Sequence, residues 1–181
     1  MWSSHVKTGS ELSISSIPAT ALAKEFGTPA FIMDEADFRD RAAAWNTALN
    51  NAFGSNAGTV YYAAKAFICV EVARWIKDIG IGIDVCTGGE LAVALKGGID
   101  PAKIEVHGNN KSVTEIEKAV AAGVGTIVID SLYEIERVSA AAAKHGVVQK
   151  VLLRLTPGIE AHTHESIATA HEDVKFGFSI A

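Results

Sequence analysis

Cysteine, basic charge and long apolar runs are all scarce in this sequence. Its 181 residues include only 2 Cys, Cys69 and Cys86, and these do not form a CxxC motif. They cannot build a disulfide framework, nor a zinc site by themselves, so we expect a reducing compartment. Lys and Arg number 16 against 21 Asp and Glu, and the formal net charge is −5. This acidic balance argues against a nucleic-acid partner, because phosphate backbones are bound by basic surfaces.

Segments that would direct the chain to a membrane are missing as well. The first residues, MWSSHVKTGSELSISSIPATALAKEFG, lack the basic start and continuous apolar stretch of a signal peptide. No apolar run approaches the roughly 20 residues that a membrane-spanning helix needs. Hydrophobic residues make up 49% of the chain, which is enough to fill a folded core. We therefore expect a soluble cytoplasmic protein without membrane contact.

From about residue 30 onward, strand-like and helix-like segments alternate. The helix-like segments have apolar residues at steps of three or four. Asp34, Thr87 and Ser112 are predicted to cap three of these helices, Ser112 together with Glu115 as a capping box. The strand-like segments are almost continuously apolar, as expected for parallel strands buried on both faces. They are AFIM, TVYYAAK, IGIDVC, KIEVHG, GTIVID and QKVLLRLTP.

This alternation predicts βαβ units, which occur both in doubly wound open sheets and in (β/α)8 barrels. The GxGxxG motif expected after the first strand of a Rossmann sheet is missing, since GIGID and CTGGEL lack that spacing. We therefore predict an α/β fold of the TIM-barrel type. A complete barrel takes about 250 residues, and this chain supplies about five of the eight strands, between Thr59 and Leu155. We expect a fragment of a larger enzyme, with residues 34–181 forming an incomplete barrel.

Chemically active side chains lie at the ends of the predicted strands. Lys65, Asp84, His107 and Asp130 end four successive strands, and Arg154 lies near the end of the fifth. Catalytic residues of barrel enzymes lie at this end of the strands. A lysine against apolar walls is less well solvated as an ammonium ion, and a neutral amine can form an imine with an aldehyde. Lys65 is therefore a candidate nucleophile, with an ordinary lysine at a helix entrance as the alternative. Asp130 either caps the next helix or lines the pocket.

Five motifs carry a resemblance to a known family. YYAAKAF is followed in order by GIDVCTGGEL, VHGNNKS, LLRLTPGIEAHTHE and KFGFS, over nearly the whole chain. Together they resemble the diaminopimelate decarboxylases, pyridoxal-phosphate enzymes of the alanine-racemase-like class. YAxKA is shared by several decarboxylases of that class, whereas HGNNKS and PGIEAHTHE are more particular to this family. The resemblance implies decarboxylation of meso-2,6-diaminopimelate to L-lysine and CO2, the last step of lysine biosynthesis, by a homodimer in the cytoplasm.

The same resemblance implies roles for individual residues. Lys65 would hold pyridoxal 5'-phosphate as an imine, and Asp84, His107 and Arg154 would line the cofactor pocket, with Glu90 nearby. In the family, the ring-stacking histidine, the phosphate-binding loops, the acid partner of the pyridine nitrogen and the proton donor all come from later segments. We expect these beyond the end of this sequence. Residues 1–33 would contribute to a second, β domain, whose first strand would lie within them and include AFIM.

Two alternatives to this function stay open. One is another enzyme of the same superfamily, such as an ornithine/arginine-type decarboxylase or an amino-acid racemase. The other is a non-catalytic pyridoxal-phosphate carrier, which consists of a single barrel and fits the short length. A carrier would bind the cofactor but release no CO2 from any amino acid.

The remaining polar motifs are interpreted as structural. HTHE and His171 have the wrong spacing for HExxH, so no metal site is predicted, and the role of His162 stays open. GNNKS lacks the GxxxxGK[ST] pattern of a phosphate-binding loop, so Lys111 is predicted to be a solvated lysine at a helix start. Cys69 and Cys86 are predicted to be small buried residues.

Overall fold

The structure of the chain is a computed structural model, which describes residues 5–8, 11–55, 57–158 and 175–179. The chain divides into two compact units, Met1–Val60 and Tyr61–Ala181. Within the described ranges, no helix is both long enough and apolar enough to cross a membrane.

The first unit contains a small antiparallel sheet with the strand order β1-β2-β3, followed by two helices. Asp34 caps the second helix as predicted, and its carboxylate accepts a 3.2 Å hydrogen bond from the backbone N–H of Asp37. The elements are β1 (His5–Thr8), β2 (Glu11–Ile14), β3 (Ile17–Pro18), α1 (Ala19–Phe26) and α2 (Glu35–Phe53).

The AFIM segment is irregular, so the prediction of a strand there is wrong. A four-residue apolar run does not by itself fix a backbone conformation, and a strand also needs a partner to pair with. The described strands of this unit instead precede AFIM, in a polar stretch that has little hydrophobic periodicity.

The second unit alternates strands and helices. Short 3-10 helices follow β4 and precede β6. The strands β9 and β10 form a separate parallel pair. In chain order the elements are β4 (Tyr61–Ala63), α3 (Val70–Ile79), β5 (Gly82–Val85), α4 (Gly88–Gly97), β6 (Ile104–Val106), α5 (Val113–Ala122), β7 (Thr126–Ile129), α6 (Leu132–His145), β8 (Val151–Leu153), β9 (Leu155–Thr156) and β10 (Phe178–Ser179).

The strand order distinguishes between the two architectures. Strands β4 to β8 form one parallel sheet in sequential order, without a reversal. Connections between parallel strands are right-handed. When each connection leads to the next strand in the same direction across the sheet, every helix lies on the same face of the sheet. A doubly wound sheet reverses its order and carries helices on both faces. The sheet is therefore the first part of a (β/α)8 barrel, as predicted, and the strands that the structure describes do not close it.

The core of the second unit lies between this sheet and its helices. Strand residues that face the helices are apolar and buried, while the alternate residues Asp84 and Glu105 are polar and half-buried. The helices begin soon after the strands end, because Thr87 caps α4 and the predicted capping box of Ser112 and Glu115 starts α5. The buried strand residues on the helix side include Ile83, Val85, Ile104, Val106, Ile127 and Ile129.

Candidate active site

Polar side chains cluster on the face of the sheet opposite the helices. Asp84 of β5 and Glu105 of β6 are register partners, and His107 follows β6. Because side chains alternate along a strand, Glu105 and His107 belong to the same face. The Nε2–H of His107 donates a 2.7 Å hydrogen bond to Oε1 of Glu105, and Nε2 lies 4.0 Å from Oδ2 of Asp84. The strand ends thus bring one imidazole and two carboxylates together.

Asp84 is the electrostatically strained member of this cluster. Burial raises the pKa of its carboxyl, and the charges of His107 and Lys65 oppose that rise only in part. Its Oδ1 is buried and has no hydrogen-bond partner among the residues that the structure describes. A buried carboxylate oxygen without a partner costs folding free energy, so it is typical of a group that binds a ligand.

Lys65 reaches the cluster from the end of β4. It lies in the 3-10 helix Ala64–Ala66 directly after the strand, and the residue is exposed. The hydroxyl of Tyr62 donates a 2.7 Å hydrogen bond to the carbonyl of Phe67, which closes the segment that carries Lys65. The ammonium group is within electrostatic reach of Asp84. An accessible amine within electrostatic reach of a carboxylate is therefore present where the sequence predicts a nucleophile.

Arg154 lies between β8 and β9. Its guanidinium lies over the ring of Phe176, 4.1 Å from the ring centroid, and its Nη1 is 4.0 Å from Oδ2 of Asp130. Asp130 does not cap α6, because Ser131 occupies the N-cap position. The Oδ1 of Asp130 accepts a hydrogen bond from the backbone N–H of Gly177, and Oδ2 is buried with no hydrogen-bond partner in the described ranges. Phe176 and Asp130 thus flank the guanidinium.

Glu90 fixes the loop after β5. Its Oε2 accepts a 2.5 Å hydrogen bond from the backbone N–H of Cys86. Burial, and after it the charges of Asp84 and Glu90, raises the pKa of the Cys86 thiol, which favours the unreactive thiol over the thiolate. Cys69 and Cys86 are free and half-buried. The prediction that both are buried is wrong, because Cys86 lies in the loop after β5 and Cys69 lies in the loop between the 3-10 helix Ala64–Ala66 and α3.

The N-terminus of α4 is already occupied by side chains. The backbone N–H of Gly88 donates a 2.9 Å hydrogen bond to Oε1 of Glu115, and that of Glu90 donates a 3.2 Å bond to the hydroxyl of Thr87. A helix N-terminus binds a phosphate through free N–H groups. These two groups are therefore not available to a phosphate.

Lys111 is buried, so the prediction of a solvated lysine is wrong. The residue is only 3% exposed, and its ammonium lies 3.0 Å from Oε1 of Glu134. The position directly before a helix cap indicated an exposed side chain, but the side chain folds back against β7 and α6, where acceptors are available.

Glu105 is the member of the cluster that sequence reasoning missed. The signal was present, because apolar and polar residues alternate in Ile104-Glu105-Val106-His107. This alternation puts Glu105 on the same face as His107.

Within the described ranges, no group of three or more His, Cys, Asp or Glu side chains could hold a metal ion. The HTHE motif with His162 and His164, and the later His171, lie outside the described residues.

The donor set fits pyridoxal phosphate, the cofactor that the resemblance implies. The amine of Lys65 can bind an aldehyde covalently. The guanidinium of Arg154 has no carboxylate closer than 4.0 Å in the described part of the chain, so it can still bind an anionic group. The unpaired Oδ1 of Asp84 can accept a hydrogen bond from a bound molecule.

Comparisons with known proteins point the same way. The family described as pyridoxal-dependent decarboxylase, pyridoxal binding domain, matches residues 35–181. The diaminopimelate decarboxylase of Mycobacterium bovis is 61% identical over 168 residues, which are 93% of this chain and 36% of that protein. The diaminopimelate decarboxylase of Corynebacterium efficiens is 44% identical over 94% of this chain and 36% of that protein. The chain thus spans about a third of the length of these curated relatives.

Solved structures share the fold. The crystal structure of diaminopimelate decarboxylase from M. jannaschii matches with a TM-score of 0.85 and 26% identity, over 99% of this chain and 42% of that one. A lysine/ornithine decarboxylase from Vibrio vulnificus matches with a TM-score of 0.60 and 27% identity, over 74% of this chain and 35% of that one. Because the family match spans most of the sequence and includes every strand-end residue of the cluster, the chain belongs to the pyridoxal-dependent decarboxylases and carries part of their pyridoxal-binding domain.

Proposed function

We propose that this chain is part of a diaminopimelate decarboxylase, which converts meso-2,6-diaminopimelate to L-lysine and CO2 as the last step of lysine biosynthesis. The observation that carries the proposal is the 61% identity to the enzyme of Mycobacterium bovis over 93% of the chain. The strand ends are consistent with it, because they carry an amine, carboxylates, an imidazole and a guanidinium.

The proposed roles follow from the chemistry of each side chain. Bound pyridoxal phosphate supplies an electron sink for the carbanion that remains when CO2 leaves. The amine of Lys65 binds the cofactor aldehyde covalently. Asp84 accepts a hydrogen bond or balances a positive charge through its unpaired Oδ1, and Arg154 binds an anionic group. His107, held by Glu105, forms a wall of the pocket.

The proposal extends to the organisation of the full-length protein. Residues 1–33 contribute to a second, β domain, and residues 34–181 form the first part of the barrel. The family match, which begins at residue 35, supports this division. We include a homodimer in the cytoplasm in the proposal on the strength of the resemblance alone.

A second candidate function is decarboxylation of another basic amino acid. The structural similarity to a lysine/ornithine decarboxylase favours it, although the TM-score of 0.60 is lower than the 0.85 of the diaminopimelate enzyme. An amino-acid racemase and a non-catalytic cofactor carrier are the remaining alternatives.

One set of assays on the full-length protein tests these functions together. CO2 release is measured with meso-diaminopimelate, L-lysine, L-ornithine and L-arginine, and racemisation is followed by circular dichroism. We expect CO2 from diaminopimelate alone. Cofactor binding without CO2 release from any amino acid would indicate a carrier. Release of CO2 from ornithine or arginine would overturn the proposal that diaminopimelate is the substrate.

The role of Lys65 has its own test. Borohydride treatment of the cofactor-loaded protein should fix the cofactor on the peptide that contains Lys65. Lys65→Ala should abolish both the visible absorption and turnover, whereas Lys96→Ala, at an exposed lysine of α4, should change neither. Labelling of Lys96 or Lys111 instead would contradict the proposed role.

A further inference from the structure

Lys111 is almost completely enclosed, with 2% of its side chain exposed. Its ammonium donates hydrogen bonds of 2.5 Å to the carbonyl of Gly108 and 2.7 Å to the carbonyl of Val128, and it lies 3.0 Å from Oε1 of Glu134. An ammonium group has three donors, and here three oxygens surround it. Lys111 therefore ties the loop after β6 to strand β7 and helix α6.

Glu134 completes this tie on the α6 side. Its side chain is 6% exposed, and its Oε2 accepts a 2.9 Å hydrogen bond from the backbone N–H of Asp130. The guanidinium of Arg137 in turn donates a 3.1 Å hydrogen bond to the carbonyl of Lys111. The ion pair thus fixes the backbone at two neighbouring strand ends, one after β6 and one after β7.

Burial of such an ion pair needs a reason other than stability. Desolvation of both charges costs about as much as their attraction returns, so apolar side chains of similar size would stabilise the fold equally well. Only the charged pair provides directional hydrogen bonds to two backbone carbonyls and from one backbone N–H group. The pair is thus better suited to fixing a loop than to stabilising a core.

The loop that Lys111 grips is the one that carries His107. Gly108, whose carbonyl accepts from Lys111, has φ +117°, and a Cβ there would lie 3.2 Å from the carbonyl oxygen of Cys86. The backbone N–H of His107 also donates a 2.7 Å hydrogen bond to the carbonyl of Val85. The loop therefore packs closely against the end of β5. Loss of the hydrogen bond from Lys111 to the Gly108 carbonyl would allow the neighbouring His107 to move.

We propose that Lys111 and Glu134 are positioning residues of the cofactor site, which act by holding the loop so that His107 stays beside Glu105 and Asp84. This inference rests on the proposed function of the strand ends as the cofactor site. The ion pair contacts none of the proposed cofactor ligands directly, and it acts on His107 through the backbone of Gly108, the next residue. The proposal assigns this pair a measurable part in cofactor affinity.

The test is a double-mutant cycle in the full-length protein, with the dissociation constant for pyridoxal phosphate measured from the visible absorption. Lys111→Met should weaken cofactor binding about tenfold or more, because small displacements at a site have large effects. In a His107→Ala background, the same substitution should weaken it by less than about twofold, since coupled residues are not additive. Lys96→Met, which removes an exposed lysine of α4, is the control and should not change the dissociation constant in either background.

Equal effects of Lys111→Met in both backgrounds would overturn the proposal and leave the pair a purely structural feature. So would a His107→Ala variant that binds the cofactor as tightly as the unmodified protein. If Lys111→Met does not fold, the same cycle is run with Glu134→Gln, which removes the charge and replaces one of the two acceptor oxygens with an NH2 donor. Failure of the unmodified protein to bind pyridoxal phosphate would instead refute the proposed function, so the two failures are distinguishable.

Discussion

Asp84 and Glu105 are direct neighbours on parallel strands, and both of their carboxylates lie within 4.0 Å of the imidazole Nε2 of His107. Two carboxylates side by side repel each other, and burial disfavours their charged forms further. The fold raises the pKa of Asp84 for this reason, burial being the largest cause. The site is therefore assembled at a cost to the stability of the protein without its cofactor.

Asp84→Asn should stabilise the cofactor-free protein and weaken cofactor binding. The fold raises the pKa of Asp84, so ionisation costs folding free energy above that pKa, and the cost disappears as the pH falls through it. At pH 7 the variant, which has no charge at this position, should melt about 2 °C or more above the unmodified protein. The gain in melting temperature should vanish at acid pH.

Asp40→Asn, at an exposed position of α2, is the control and should not change the melting temperature. A lower melting temperature of Asp84→Asn than of the unmodified protein at pH 7 would contradict the prediction.

Glu115→Gln should destabilise the protein in a pH-dependent way. Hydrogen bonds from the backbone N–H groups of Ser112 and Gly88, and from the Ser112 hydroxyl, lower the pKa of Glu115. The charged form of Glu115 therefore stabilises the protein fully above the ordinary carboxyl pKa of 4.5. This stabilisation is lost as the pH falls through the lowered pKa of Glu115. We expect a loss of about 0.5 kcal/mol at pH 7, kept small by solvent screening of the partly exposed charge.

Urea unfolding at pH 7 and at a pH below the lowered pKa of Glu115 measures this difference. The gap between Glu115→Gln and the unmodified protein should narrow on acidification. Glu136→Gln, at an exposed carboxylate of α6, serves as the control, and we expect it to change the stability by clearly less than Glu115→Gln does at pH 7. A stability gap that stays the same or widens at low pH would show that the charged form of Glu115 does not stabilise the protein.

Gly97→Ala should destabilise the barrel unit through a steric clash between α3 and α4. A Cβ at Gly97 would lie 2.3 Å from the Cβ of Ala73, so the two helices would have to move apart. Overpacking of this kind costs about 1–3 kcal/mol. In Gly89→Ala, also in α4, the nearest atom would lie 3.8 Å away, and this variant should be neutral or slightly more stable. Equal urea midpoints for the two variants would rule out the close approach of the helices.

The strand ends were predictable from the sequence because they depend on local patterns. Apolar runs followed by capping residues such as Thr87 and Ser112 fix where strands stop and helices start, so the candidate residues are found at predictable places. The long-range interactions were not predictable. Lys111 has the sequence context of an exposed residue, and only the fold brings Glu134 and the Val128 carbonyl to it. The prediction of a strand at AFIM was wrong because it relied on the local pattern alone. An apolar run without a strand partner leaves the backbone irregular.

Arg154→Lys should lower turnover of the full-length protein about tenfold or more, which corresponds to about 1.4 kcal/mol of transition-state stabilisation. The substitution keeps the charge but loses the planar group that lies 4.1 Å from the Phe176 ring centroid and can bind an anion through two N–H groups. Arg74→Lys, at an exposed arginine that pairs with Glu71 on α3, is the control and should leave turnover unchanged. Steady-state kinetics with both variants provide the measurement, and unchanged turnover in Arg154→Lys would indicate a purely structural arginine.

A polypeptide of these 181 residues should self-associate in solution. An apolar groove of about 470 Å³ lies between α6 and β8, and Val148 and Leu153 in its lining are 100% and 58% exposed. Within the described residues β8 is also the last strand of the sheet, so the backbone groups on its outer edge can pair with another strand. Light scattering should therefore show oligomers, and the double substitution of Val148→Lys with Leu153→Lys should lower their mass, because charges on an exposed edge oppose pairing. Ala140→Lys, on α6 but outside the groove, adds the same kind of charge and should have little effect. A monomeric unmodified chain, or an equal effect of Ala140→Lys, would show that this groove does not drive association.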